Sequence, residues 1–512
     1  MKSLFLLFMA RVLIKNGWVY SPAAVFQRRS VLILGDRIEA ILPADEPTTA
    51  SHADVEVIDV GGAHVLPGFV DTHIHLTTLA LTRLRCDLSG VRSARELCDV
   101  LSTWASENDT PTVMGVGWDE SGWQDSRYPT RAMLDAIDAR RPLLARRICG
   151  HMGVANSPLL KRLTPQPDFI DGASGVVREL SLWEAGGLCE PDLDRLGVEI
   201  EVAIASLHRL GITGIHDIVE AAKLDHYLRG VNQSKAPLRI DVLLHTDCDR
   251  FKDHAARCSH MDRRVFRLAG IKLFLDGSLG GHSAALNMPY ADHDGARGTL
   301  LMELDALRAI LNACYRGGYM CAMHAIGDRA IDQALSGLAD FPSDADNFRI
   351  EHCEIVGDEQ LPVLASRPVF LSLQPNFVRQ WGLPGGIYER RLGTKRLRSC
   401  NRFASLMNAD VPFVFGSDGM PPGPLYGLKG AADHPIREER LRPADAIDRY
   451  TRWPSQVGGH KKEAGVLAAG QLADIVVLDG DPLRRDFLQL NVARTLVGGR
   501  TVFAAPKPRG AA

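Results

Sequence analysis

The chain has 512 residues, 46% hydrophobic and 24% charged, an ordinary globular composition with length for one large domain plus additions. Its 59 basic and 62 acidic side chains nearly cancel, at a formal −3, which excludes a general electrostatic pull toward nucleic acid or an anionic membrane and favours small substrates of modest charge. The ten cysteines are scattered without a Cys-x-x-Cys pair, so reduced thiols in a cytoplasm are expected rather than a thiolate zinc site or a disulfide framework.

Met1–Ala10 contains a short apolar run with no small-x-small cleavage site after it, and Arg11 opens the first strand-like segment. It is read as a lead-in rather than a secretory signal, with Met9 as an alternative start. No other apolar run is long enough to span a bilayer. From Arg11 short strand-like runs follow: Val12–Ile14, Trp18–Tyr20, Ser30–Leu34, Arg37–Ile41 and Val55–Asp59, with turn signals at Asn16-Gly17, Gly35-Asp36 and Gly61-Gly62. The same texture returns in Leu472–Leu478, Val492–Val497 and Gly498–Val502, which points to a composite β-sandwich built from both ends, 11–64 with 430–505.

Between the ends, eight strand-like runs alternate with helical stretches and finish in polar residues or glycine: Gly68–His73, Gly211–Asp217, Arg239–His245, Gly270–Asp276, Tyr319–His324, Phe348–His352, Val369–Gln374 and Val411–Asp418. Eight parallel β/α units predict a (β/α)₈ TIM barrel, an α/β fold, over 65–76 and 192–429. Two further strand candidates, Pro111–Gly117 and Pro142–Ile148, fall between the first two barrel strands, so 77–191 is read as an insert capping the barrel mouth. The last few residues are expected to fray.

Residues two apart on a strand share a face, so His73 and His75 in Asp71-Thr72-His73-Ile74-His75 project together into the mouth, where paired imidazoles suit a divalent metal. Lys272, His324, His352 and Asp418 stand at four other strand ends, which is where such barrels carry their chemistry. Each also has a plain structural reading: hydrogen-bonded core histidines, a loop-capping Asp418, a Lys272–Asp276 pair.

The run Val65-Leu66-Pro67-Gly68-Phe69-Val70-Asp71-Thr72-His73-Ile74-His75 strongly resembles the first strand of the amidohydrolase superfamily. Met323–Asp328, Ile350-Glu351-His352 and Gly416-Ser417-Asp418 look like its strands five, six and eight, and Ala473–Leu478 like its sandwich segment. Gly117–Glu120, Cys149-Gly150-His151 with Asn156-Ser157, and Lys272–Ser278 resemble the amidohydrolase 3 subgroup, which includes N-substituted formamide deformylases. The resemblance implies one or two divalent ions per chain, with zinc the first expectation. His73, His75 and Asp418 would hold the first, His324 and His352 the second, and Lys272 would bridge them as a carbamate. It implies water attack on the C–N bond of a small amide-like substrate, with Asp418 as general acid–base and His151 as a donor to the carbonyl oxygen or the substrate. Substrate contacts are expected from Trp118, Asp276, Ser278 and Asn376 at the mouth, with Asp119, Trp123 and Trp381 beside them, while His216 and His245 are read as barrel hydrogen-bonding residues. Glycine pairs 280–281 and 385–386 are candidate lid hinges.

Two other readings stand beside this one: a deaminase of the same superfamily, although the His324 strand lacks a His-x-x-Glu, and a non-catalytic metal-binding scaffold or regulator, against which a retained Asp418 argues. A homodimer is the ordinary expectation for assembly.

Overall fold

The computed structural model describes residues 11–44, 55–124, 127–460 and 462–506; the Met1–Ala10 segment and the extreme C-terminus lie outside them. The chain opens with β1 (Arg11–Tyr20), β2 (Phe26–Leu34), β3 (Arg37–Pro43), β4 (Val55–Asp59) and β5 (His64–Pro67). The turn expected at Asn16-Gly17 is instead a bulge inside β1, where the register against β2 shifts between Ile14 and Gly17. Asn16 adopts a left-handed φ of 61°, which this side chain tolerates well, and bonds Asp59 at 2.8 Å, so the strand kinks and continues.

The barrel begins with β6 (Phe69–Ile74). The chain then leaves to build a separate six-stranded sheet from β7 (Cys86–Asp87), β8 (Val113–Trp118), β9 (Leu143–Arg147), β10 (Met152–Ala155), β11 (Ile170–Asp171) and β12 (Val176–Arg178). It returns for β13 (Ile212–Glu220), β14 (Arg239–His245), β15 (Phe266–Phe274), β16 (Met320–Ala325), β17 (Phe348–His352), β18 (Phe370–Leu373) and β19 (Phe413–Phe415). These seven and β6 form one parallel sheet in the order β6-β13-β14-β15-β16-β17-β18-β19, each of the eight being a run foreseen from sequence. The edges β19 and β6 meet where Asp418 N–H donates to the His73 carbonyl at 2.7 Å and Ser417 N–H to the Asp71 carboxylate at 2.9 Å, as expected of a TIM barrel closing on itself. Gly416 is needed at that seam, because a Cβ there would stand 2.5 Å from the His73 backbone nitrogen.

The outer helices are set by their apolar faces. Leu304–Gly317 buries Leu307, Leu311 and Cys314, at i, i+4 and i+7, and stops at Gly318 in the left-handed conformation, φ 68°. These faces and the barrel's outward residues make the largest core, through Leu273, Met323, Ile350, Leu371 and Phe413. The C-terminal β20 (Ile475–Leu478), β21 (Val492–Val497) and β22 (Arg500–Ala504) join the first strands in a single eight-stranded sheet, β20 lying antiparallel to β5. Among the described residues no helix is long and apolar enough to cross a membrane.

Candidate metal centre and active site

Beneath the mouth, the inward positions of the barrel are polar. Arg349 and Glu351, two apart on β17, point the same way into the interior and are fully buried. They pair with each other, and Arg349 also reaches the His216 Nδ1 at 2.8 Å and the Thr72 carbonyl at 2.9 Å. The other Glu351 oxygen takes the His73 Nδ1 at 2.5 Å, which fixes that ring and leaves its Nε2 facing the mouth.

Above this floor the donors converge as the spacing requires. The His75 Nε2 lies 3.1 Å and the His73 Nε2 3.5 Å from the same Asp418 oxygen. These donor atoms all fall within 4.8 Å of one another. The His73 and His352 rings are 4.7 Å apart, His352 and His324 4.5 Å, and His324 and His151 4.9 Å, so four imidazoles form an unbroken arc. His324 engages the Gly277 carbonyl through Nε2 at 3.1 Å, leaving Nδ1 as its second donor. Lys272 is wholly buried below the arc, and neither its Nζ nor the His352 Nδ1 has a hydrogen-bond partner. Its Nζ lies 4.9 Å from the centre of the Phe274 ring.

A buried ammonium and an imidazole nitrogen left without partners are costly unless something else binds there. Burial pushes Lys272 down to about 8, against the pull of Glu351 and Asp418, so much of its amine's cost of losing a proton at neutral pH is already met. Burial likewise holds His73, His324 and His352 well below their ordinary range, as neutral imidazoles suited to ligation. Burial opposes the charge on Asp418, but the neighbouring His73 and His75 outweigh it and keep the carboxylate below its ordinary value. Neutral imidazoles with one anionic carboxylate form a donor set that fits a borderline divalent ion such as zinc. Two of the groups sit in a left-handed backbone that ordinary residues avoid: His352 at φ 70° and Asp418 at φ 56°. Strain of that kind concentrates where function demands a direction for a side chain.

The insert supplies the rest of the site. His151, following β9, turns its ring over the arc and bonds the Glu179 carboxylate at 2.9 Å. Burial alone would depress His151, yet Glu179 reverses the effect and lifts it to about 9. Asp119 accepts from Trp381 at 2.9 Å and Arg147 at 2.8 Å, and Glu120 pairs with Arg147 at 2.7 Å, which ties the insert to the barrel loops. A cavity of about 340 Å³ opens over the arc, within the range for a small-molecule site. It is lined on the barrel side by His73, His75, Lys272, His324, His352 and Asp418, and the insert contributes His151.

Of the four expected substrate contacts only Ser278 reaches open space, lining a small side pocket next to His324 and His352. Trp118 is fully buried in the insert core, its Nε1 donating to the Ala145 carbonyl at 3.0 Å and its ring packed on Trp123 and Tyr128. The six-stranded sheet needs a large apolar filler there, so the indole faces inward. Asp276 is a buried clamp for backbone N–H groups, accepting from Ala285 and Gly327 at 2.8 Å and Ile326 at 3.0 Å. Asn376 is likewise spent on structure, donating to the Pro421 carbonyl at 2.7 Å and accepting from Tyr450 at 3.1 Å. Sequence reasoning passed over Arg349, Glu351, Glu179 and Glu354. The polar–apolar alternation Phe348-Arg349-Ile350-Glu351 was a visible signal for the first two. Glu354 ends up buried in the side pocket beside Tyr388.

The amidohydrolase family profile matches residues 56–503. A putative amidohydrolase, YtcJ, of Bacillus subtilis is 28% identical over 92% of this chain and 96% of its own length. The N-substituted formamide deformylase of Arthrobacter pascens is 26% identical over 92% of this chain and 94% of its own. The crystal structure of an uncharacterised metal-dependent hydrolase from Pyrococcus furiosus superposes with a TM-score of 0.74 at 28% identity, covering 93% of this chain and all of that one. With its barrel and an arc of imidazoles at the mouth, the chain belongs to the amidohydrolase family, within the metal-dependent amidohydrolase superfamily.

Proposed function

We propose that the protein hydrolyses a carbon–nitrogen bond, other than a peptide bond, in a small amide-like molecule. The observation that carries this is the convergence of His73, His75 and Asp418 on one cavity with the unpartnered Lys272 amine and His352 nitrogen. His73, His75 and Asp418 would hold one divalent ion, most simply zinc, and His324 and His352 a second. Lys272 would join the two: its amine nitrogen forms a bond to the carbon of carbon dioxide, a proton leaves, and an anionic carbamate results. A divalent ion held there acidifies water and polarises a carbonyl. Asp418 takes the proton of the attacking water and returns it to the leaving nitrogen. His151, held by Glu179, donates to the carbonyl oxygen as negative charge grows on it. Ser278 contacts the group entering the side pocket.

The division 11–64 with 430–505, 65–76 with 192–429, and 77–191 is the domain assignment we adopt. Joining the two chain ends in one unit is supported by their common eight-stranded sheet and by the shared apolar core of Val12, Ile14, Val31, Ile33, Ile475 and Val477. A cytoplasmic location is supported by ten free cysteines, eight of them buried.

The reading is tested by assaying N-formyl, N-acetyl and cyclic amides with the metal-replete protein, scoring amine, acid and ammonia. Amine plus acid is expected; ammonia alone would make it a deaminase, and no turnover of any amide would overturn the reading. Exhaustive chelation is expected to abolish turnover and added zinc or manganese to restore it, followed by the same assay. His151→Ala is expected to lower kcat/KM by about 10²-fold, the cost of losing one preorganised donor; a change under threefold in steady-state kinetics would remove His151 from the machinery.

A further inference from the structure

Three arginines, Arg85, Arg146 and Arg147, line the cavity on the wall built by the insert. Their surroundings differ. Arg147 is neutralised by Asp119 and Glu120 and serves as a structural tie. Arg85, itself more than nine-tenths buried, gives one nitrogen to Glu190 at 2.5 Å, while its Nε is buried without a partner. Arg146 has only the Gly150 carbonyl, at 3.2 Å, and no carboxylate pairs with it among the described residues.

The carboxylates nearby are already spent. Glu190 divides its two oxygens between Arg85 and Lys223, and Glu220 binds the same Lys223 at 2.8 Å while Arg146 acts on it only through space. Asp87, on the same wall, turns its carboxylate to the Ser89 N–H at 2.9 Å. Burial draws Arg85 below its ordinary value, Glu190 opposes that, and the adjacent Arg146 adds to it by like-charge repulsion. An unpaired guanidinium beside a half-satisfied one is an arrangement that a bound anion relieves, and the planar fork matches a carboxylate best. The same cavity is also lined by the apolar side chains of Leu79, Val116, Ile148, Trp183 and Phe274.

We propose that the substrate carries a carboxylate, seated on Arg146 with Arg85 behind it, joined by an apolar body to the amide held at the arc. This deepens the hydrolase reading and rests on it. The test is isothermal titration of the metal-replete protein with N-acetylphenylalanine, both enantiomers, and with N-acetylphenethylamine, which lacks only the carboxylate. The better acid enantiomer is expected to bind at least tenfold more tightly. Arg146→Met is expected to erase that preference and Arg146→Lys to keep part of it. Equal affinity for acid and amine, a preference that survives Arg146→Met, or no binding of either compound would overturn the inference. Hydrolysis of both without preference would sink the carboxylate and leave the hydrolase standing. A carboxylate preference with no turnover of any amide would do the reverse.

Discussion

Asp418→Asn is expected to lower kcat by about 10²–10⁴-fold, the range for losing a general acid–base group. The amide keeps the size and left-handed backbone preference of the native side chain, so the end of the barrel is not remodelled. What it loses is basicity. Among the described residues Asp418 is the one carboxylate of the acid-and-imidazole cluster at the mouth, within 3.1 Å of His75 and 3.5 Å of His73. No other group in that cluster is an anion able to take a proton from water and release it to nitrogen. The measurement is steady-state kinetics on the variant with its metal content determined in the same preparation. Retained metal with lost turnover is the predicted result, and turnover within threefold of wild type would withdraw the role.

Glu351→Ala is expected to destabilise the fold by about 3–5 kcal/mol, because it strands a buried cation rather than deleting a surface contact. Arg349 is fully buried and would retain only His216 and the Thr72 carbonyl. The same change frees the His73 ring, and losing a partner that orients a ligating imidazole weakens metal binding about 10–100-fold. Glu351→Gln, which keeps the shape and one acceptor, separates the two effects. It should fold with a smaller loss and still bind metal more weakly. Urea denaturation and a metal-competition titration read them, and a stability change below about 1 kcal/mol for the alanine variant would show that the ion pair is not what holds this floor.

The barrel was legible because parallel strands covered on both faces read as apolar runs, as in Met320–Ala325 and Phe413–Phe415, with His324 near the end of the first and Ser417-Asp418 just beyond the second. The insert was legible only in part. Its long strands β8 and β9 stand out, but β7 and β11 have two residues each and β12 three, too few for any periodicity to show. In the site, the His73/His75 spacing carried its own geometry. Glu179 could not have been found, since it comes from the insert 28 residues beyond His151 and reaches it through a left-handed φ of 42°. Trp118 misled for the opposite reason: which way an aromatic faces is decided by packing, here against Trp123 and Tyr128. Asp276 and Asn376 show the same limit, because a polar residue near a site is equally suited to satisfying buried backbone groups.

The most direct test of the account is elemental analysis of the protein purified without chelator, after passage through buffer containing zinc. One or two divalent ions per chain are predicted, falling on His73→Ala. Protein that retains no metal, or whose content is unchanged by His73→Ala, would contradict a metal centre built on this arc.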